Sequence, residues 1–178
     1  MKNLKTLVAG VVVATASMGS GAMAADITTP AQALNLVGTS AFFGDAFDVD
    51  QASSTFADRF TFDVTGAPLN LDTAISTVNR TSADSVDLTG LALFMADGTE
   101  VRKGVGSQAG QAEVWTLSSN NLEEGSYYLQ VNGTMLSDAS GSFGGSAMLA
   151  PVPEPATYGL MLAGLGLFGF MLRRHGSK

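Results

Sequence analysis

The side chains best suited to chemistry in this sequence are aspartates in its first third. Asp45, Asp48 and Asp50 lie within six residues of one another, in the stretch GDAFDVDQ. Clustered carboxylates supply the oxygen ligands that calcium prefers. The run lacks the EF-hand pattern, because no glycine follows Asp50 at the required place and no glutamate closes the loop. We therefore interpret these aspartates as turn caps. A calcium site is the alternative, and it depends on carboxylate density alone.

A five-residue pattern, F-x-D-x-F, occurs twice in the same region. Its residues are Phe43, Asp45 and Phe47, then Phe56, Asp58 and Phe60. On a strand these three positions share one face, which places a carboxylate between two core phenylalanines. Because an unpaired buried charge costs several kcal/mol, at least one aspartate should lie at a strand end or mouth, where backbone N–H groups or a cation reach it.

Histidine and cysteine supply no nucleophilic or zinc site to the central part of the chain. The sequence has one histidine, His175, near its C-terminal end, and no cysteine. This excludes Ser-His-Asp and Cys-His schemes, histidine-based zinc sites and disulfides. A paired-carboxylate hydrolase stays open, since acidic residues are plentiful, but no pair stands out by its spacing. We expect no catalytic residues and no enzymatic activity.

The segments that position these residues have a hydrophobic period of two. Phe60, Phe62 and Val64 alternate with polar residues, as a half-buried strand requires. Further strands are predicted over 69–75, over 86–101 with an Asp97-Gly98 turn, over 113–117, over 125–131 and over 142–149. Since no amphipathic helix interrupts them, we predict an all-β fold, an antiparallel β-sandwich of the jelly-roll kind spanning residues 25–150.

The first 24 residues have the features of a secretory signal peptide. Lys2 and Lys5 form a positive region, and residues 7–16 form an apolar run too short to span a membrane. The small residues of the expected cleavage site are Ala22, Ala24 and Ala25. We therefore expect an exported chain that begins at Ala25.

A second apolar segment, residues 156–172, lies near the C-terminus. It follows Pro153, Glu154 and Pro155 and precedes Arg173 and Arg174. At 1.5 Å per residue it reaches about 26 Å, just short of a ~30 Å hydrocarbon core. We predict a transmembrane helix with the basic tail, 173–178, in the cytoplasm and the ectodomain outside, because Lys and Arg mark the cytoplasmic side. A buried core helix is the weaker alternative.

The ectodomain is strongly acidic. Together with the following residues up to Pro155, it keeps all 16 acidic residues of the chain but only four basic ones, Arg59, Arg80, Arg102 and Lys103. Nucleic acids demand a basic face, so we exclude them as partners. An acidic surface suits an extracellular protein, or one that collects cations.

Three stretches resemble a known domain. The sequences FADRFTFDV, LALFMADGTEV and LEEGSYYLQVNGT are similar to the small jelly-roll domain of the prepeptidase C-terminal type. That family shows an Asp-led strand, an apolar strand ending in an Asp-Gly turn, and a Gly-Tyr-Tyr-x-x-Val strand. The resemblance implies a binding or accessory module.

The C-terminal composite VPEPATYGLMLAGLGLFGFMLRR resembles the PEP-CTERM sorting signal, and the F-x-D-x-F repeats resemble the FxDxF family of PEP-CTERM proteins. This implies processing by exosortase, a membrane enzyme, at or near the Pro-Glu-Pro motif. Two prolines fit such a role because they hold the backbone extended and accessible.

These observations predict a function. We expect an exported, exosortase-sorted surface or matrix protein of an exopolysaccharide-producing bacterium, with a non-enzymatic structural or adhesive role in the biofilm. The alternative is a carbohydrate-binding module, with or without calcium. The expected partners are exosortase, signal peptidase, the membrane during sorting, and an exopolysaccharide. We expect no cofactor, with calcium as the alternative.

Overall fold

The computed structural model describes residues 24–66, 68–78, 86–109, 112–152 and 155–175. In the C-terminal helix, it describes side chains for residues 159–169 and 171. The predicted signal peptide therefore lies outside the described residues apart from Ala24, as do Pro153 and Glu154.

Within this part of the chain, ten strands precede one helix. They are β1 Gln32–Ala33, β2 Ser40–Phe47, β3 Thr55–Val64, β4 Leu69–Val78, β5 Val86–Met95, β6 Glu100–Lys103, β7 Val105–Ala109, β8 Ala112–Leu122, β9 Gly125–Met135, β10 Gly141–Pro151 and α1 Pro155–His175. Alternating apolar and polar residues form the long strands, and in β3 every second side chain is buried.

The strands form two five-stranded sheets. Sheet A has the order β1-β3-β9-β5-β6, and sheet B has the order β2-β10-β4-β8-β7. Neighbouring strands are antiparallel except β1 and β3, which run parallel. The two sheets enclose one hydrophobic core, so the predicted all-β sandwich is confirmed.

The core lies between the sheets. Phe60, Leu93 and Leu129 come from neighbouring strands of sheet A, while Leu71 and Ile75 come from sheet B, and each is at most 1% exposed. Burying one such side chain stabilises the fold by ~1.5–3 kcal/mol. None of the described residues of α1 belongs to this core cluster. The core described here is therefore formed by residues of the sandwich.

The predicted turn at Asp97-Gly98 joins β5 to β6. The N–H of Met95 donates to the carbonyl of Thr99, and that of Gly98 donates to the carbonyl of Met95, both at 2.9 Å. Gly98 has φ 89°, in the left-handed region that glycine tolerates without a Cβ penalty. The hairpin predicted from these two residues is confirmed.

Helix α1 covers the predicted apolar segment. It begins at Pro155, a residue suited to the first helical position because it has no N–H to leave unpaired. Among the described residues, no helix combines the length and hydropathy that a membrane crossing needs. Several side chains of residues 156–172 lie outside the described part, and the transmembrane role of that segment stays a prediction.

Candidate functional site

The two F-x-D-x-F motifs face each other across the sandwich. One lies on β2 of sheet B and the other on β3 of sheet A. The rings of Phe43 and Phe60 have centroids 4.6 Å apart, and those of Phe47 and Phe56 are 4.4 Å apart. The motifs therefore run in opposite directions, with their aspartates between the two ring pairs. We call these six residues the FxDxF cluster.

A fifth phenylalanine completes the aromatic packing. Phe143 on β10 stacks on Phe56 at 5.6 Å and meets Phe60 edge-on at 6.2 Å. Aromatic pairs in such geometries contribute about 0.5–1.5 kcal/mol each beyond their buried area. The F-x-D-x-F repeat thus forms a packing contact between the sheets.

An N-terminal arm, residues 25–34, runs along the outer edge of β3. The N–H of Ile27 donates to the carbonyl of Thr55 at 2.9 Å, and the N–H of Leu34 donates to the carbonyl of Thr61 at 2.8 Å. Between these two points the arm runs alongside the F-x-D-x-F motif of β3. It therefore brings polar groups to an aspartate that lies in mid-strand.

Thr29 of this arm bridges the two aspartates. Its backbone N–H donates to Asp58 Oδ1 at 2.9 Å. Its hydroxyl lies 2.7 Å from Asp45 Oδ2 and 3.2 Å from Asp58 Oδ1. Because a hydroxyl has one proton, it donates to the nearer oxygen, that of Asp45. We expected backbone N–H groups to reach a motif aspartate at the end of a strand. The N–H of Thr29 does reach one, but this aspartate is Asp58, in the middle of β3 where the arm covers the strand.

The second oxygen of Asp58 has no such partner. The residue is 0% exposed, and among the described residues Oδ2 makes no hydrogen bond. Burial raises the pKa of Asp58, the N–H of Thr29 opposes this, and the negative charge of Asp45 raises it further. The environment therefore favours the protonated carboxyl, which suits an interior position better than a carboxylate does.

The predicted calcium ligands are not gathered into one site. Asp45 points its oxygens at Thr29 and at the N–H of Ala46, and the backbone of Asp50 donates to the carbonyl of Asp138. In the described part of the chain, no three acidic or histidine side chains are placed to hold a metal ion. Calcium binding by Asp45, Asp48 and Asp50 stays a prediction, which melting temperatures measured with calcium and with a chelator would test.

A second group of polar and aromatic side chains covers the solvent-facing side of sheet A. Tyr128 on β9 stacks on Phe94 of β5 with centroids 5.1 Å apart. The guanidinium carbon of Arg59, on β3, lies 5.0 Å from the centroid of the Tyr128 ring. Arg59 Nε also donates to Gln130 Oε1 at 3.1 Å. Stacking and the hydrogen bond together hold the arginine in one orientation.

A cavity of about 380 Å³ lies between this face and the N-terminal arm. Its polar and aromatic lining includes Arg59, Thr61, Asp63, Ser126 and Tyr128. Among the described residues that line it, Asp63 is the only carboxylate, so it does not hold the carboxylate pair of a glycosidase. Its donors and acceptors can bind a ligand by hydrogen bonds. We call this region the sheet A groove.

Sequence reasoning missed the sheet A groove as a site. The alternation that predicts β3 and β9 also predicts that Thr61, Asp63, Tyr128 and Gln130 point away from the core. It does not show that the two strands are neighbours.

The expected processing residues lie at the borders of the described chain. Pro155 begins α1, and Arg173 and Arg174 fall in its last turn, with side chains outside the described part. Ala24 and Ala25 are described, and the carbonyl of Ala25 accepts the N–H of Thr55 at 2.9 Å. The chain that follows the predicted signal peptide thus enters the sandwich at once.

Fold and termini define a class: a β-sandwich protein with a C-terminal sorting segment. Residues 151–174 match the PEP-CTERM protein-sorting motif, which confirms the prediction made from the Pro-Glu-Pro composite. No curated protein matches the chain. A solved structure, the pre-peptidase C-terminal domain of collagenase from Bacillus anthracis, is similar at 19% identity and a TM-score of 0.38, covering 67% of this chain and 97% of that one.

The sorting motif indicates how the protein is exported and where it is sorted. It implies export, processing by exosortase and sorting to the cell surface through a membrane-anchored precursor. This chain is therefore an exosortase-sorted protein with a β-sandwich domain. The FxDxF family name stays an expectation, although the two motifs that suggest it meet in the structure.

Proposed function

We propose that this protein is a non-enzymatic structural or adhesive component of the bacterial surface or extracellular matrix. The observation that carries the proposal is the sorting motif at residues 151–174, which directs the sandwich to that location. The composition of the exported part supports it, because a domain without histidine or cysteine lacks the usual nucleophile and base pairs. The host would be a bacterium that secretes exopolysaccharide and lives in a biofilm.

Processing is the first step of this function. We expect exosortase to cut at or near Pro153, Glu154 and Pro155, so that the surface form lacks the residues after that motif. Intact-mass measurement of the protein released from cells tests this. A mass that includes residues 156–178 would contradict the removal of the helix and would leave a permanent anchor.

The adhesive role is tested in a deletion strain. We expect cells without the protein to attach less to a surface and to retain less matrix, and the wild-type gene to restore both. A catalytically inert role also predicts that purified protein releases no reducing ends from polysaccharides. Unchanged attachment in the deletion strain would refute the adhesive role, and released sugar would identify a hydrolase.

A second candidate function is carbohydrate binding. One observation favours it, the sheet A groove, where Arg59, Thr61 and Asp63 line a cavity beside the ring of Tyr128. Saccharide sites combine aromatic contact with a few fixed polar groups. Titration of a soluble polysaccharide into the protein, with and without calcium, tests this function and any role of the ion.

A further inference from the structure

We infer that the sheet A groove binds a neutral polysaccharide strand through Arg59, Thr61 and Asp63. This inference rests on the proposed function, because it supplies the site through which an adhesive surface protein holds its matrix. The cavity of about 380 Å³ lies within the 300–1,000 Å³ range typical of small-ligand sites and is open to a longer chain at the surface.

The groove presents uncommitted hydrogen-bonding atoms. Arg59 uses Nε on Gln130 and keeps its two terminal nitrogens, while Asp63 Oδ1 accepts from the Ser126 hydroxyl at 2.6 Å and leaves Oδ2. Within the described residues, neither Arg59 nor Asp63 is in a salt bridge, although both are charged. Both groups can therefore bind a ligand without first breaking an ion pair.

The spacing of these groups suits an extended chain. Arg59, Thr61 and Asp63 are alternate residues of β3, so their side chains stand on one face about 7 Å apart. The line offers a donor fork from Arg59, a hydroxyl at Thr61 and an acceptor at Asp63. The Thr61 hydroxyl donates to the carbonyl of Gln32 at 3.4 Å, so towards a ligand it acts as an acceptor. Sugar hydroxyls both donate and accept, so an oligosaccharide laid along β3 can satisfy all three.

The charges of the groove select the class of ligand. Arg59 and Asp63 have opposite signs, so the groove itself favours neither a polyanion nor a polycation. The chain as a whole has a formal charge of −7, which repels polyanions at long range. A neutral, hydroxyl-rich polymer is the ligand that meets both conditions.

The side chains of the groove contact one another, and the groove is partly apolar. Arg59 is held by Gln130 and by the Tyr128 ring, which in turn stacks on Phe94. Leu36, two residues after the N-terminal arm, lines the cavity and is 39% exposed. It can therefore contact the C–H face of a sugar ring. Preorganised side chains lose little entropy on binding, which suits recognition by few contacts.

The test is isothermal titration and gel retardation of the full chain in detergent micelles. The probes are galactomannan, xyloglucan, dextran and the polysaccharide extracted from the host culture, with alginate as a polyanion. The test variants are Arg59→Ala and Asp63→Asn. We expect one or more neutral probes to bind and each variant to weaken that binding by about tenfold, the effect of ~1.4 kcal/mol.

Matched controls exist on other strands. Asp72 Oδ1 accepts from the Ser118 hydroxyl at 2.6 Å on the outer side of sheet B, the same arrangement as at Asp63, and Arg102 is an exposed arginine on β6. We expect Asp72→Asn and Arg102→Ala to bind like wild type. Equal loss in test and control variants would overturn the assignment of the groove, as would binding to alginate alone or to no probe.

The outcome for the groove is separable from the outcome for the proposed function. If the deletion strain loses attachment and both the Asp63→Asn and Arg59→Ala genes restore it fully, the adhesive role stands and the groove assignment fails. If deletion has no effect but the purified protein binds a neutral probe through Arg59 and Asp63, the groove stands and the adhesive role fails.

Discussion

Replacing Asp58 by asparagine tests the account of the FxDxF cluster. Asp58 is 0% exposed, Oδ1 accepts the N–H of Thr29, and Oδ2 has no hydrogen-bond partner among the described residues. Leaving a buried polar group unsatisfied costs about 1–3 kcal/mol, and more when it is charged. Asparagine keeps the acceptor for Thr29 and has the same shape, and its Nδ2 is unpaired where Oδ2 is unpaired in wild type. It cannot ionise, so the substitution removes the additional cost of a buried charge. We therefore expect Asp58→Asn to unfold at pH 7 with a free energy about 1–3 kcal/mol higher than wild type.

The expected gain depends on pH. Burial raises the pKa of Asp58 above its ordinary value of 3.8, so the folded state binds the proton more tightly than the unfolded state does. The contribution of Asp58 to the free energy of unfolding is complete below pH 3.8. It is lost as the pH rises through the raised pKa of the folded state. Wild type should therefore lose stability relative to Asp58→Asn over that window. At pH 3 the two proteins should differ little.

Urea unfolding of both proteins, followed by tryptophan fluorescence from pH 3 to pH 8, measures this difference. Asp63→Asn is the control, because Asp63 is an exposed carboxylate on the same strand, and it should stay within about 0.5 kcal/mol of wild type. A variant that is less stable than wild type at pH 7 would refute the reasoning. If wild type were more stable than Asp58→Asn with calcium present but not with a chelator, that result would identify a bound cation.

Three further changes test the packing. Phe60→Ala should lower the free energy of unfolding by about 3–5 kcal/mol in urea titrations, whereas Phe42→Ala, at a ring that is 86% exposed, should change it by less than about 0.5 kcal/mol. Gly133→Ala should lower the free energy of unfolding by about 1–3 kcal/mol or more, because a Cβ there overlaps the Phe56 ring. In thermal melts, the double variant with Phe56→Leu should recover part of that loss. Thr29→Val should cost about 1–2 kcal/mol by leaving Asp45 without its hydroxyl donor, while Thr29→Ser should match wild type; a loss of equal size in both would show that the hydroxyl is not what matters.

Local patterns predict much of the sandwich. Phe60, Phe62 and Val64 specify an inward face for β3 because side chains alternate along any strand, whatever it pairs with. Asp97-Gly98 specifies a turn because glycine alone adopts its positive φ at low cost. These are properties of neighbouring residues, and they need no knowledge of the fold.

The candidate sites could be predicted only in part. The F-x-D-x-F repeats are visible in the sequence, but their antiparallel contact across two sheets is not. Nor does any local signal connect Thr29 with Asp58, which lies 29 residues further along the chain. The sheet A groove has the same difficulty, since Arg59 and Tyr128 become neighbours through the pairing of β3 with β9.

The sequence by itself determined where this protein is sorted and which side chains of a strand share a face. The sorting motif is a linear signal, read as a run of residues, and alternation is set by the geometry of a single strand. Only the tertiary structure decided that the arm covers Asp58, that the two motifs meet, and that Arg59, Asp63 and Tyr128 line one groove. Those contacts depend on which strands pair and which sheets pack, because they join residues whose separation along the chain carries no information about their distance in space.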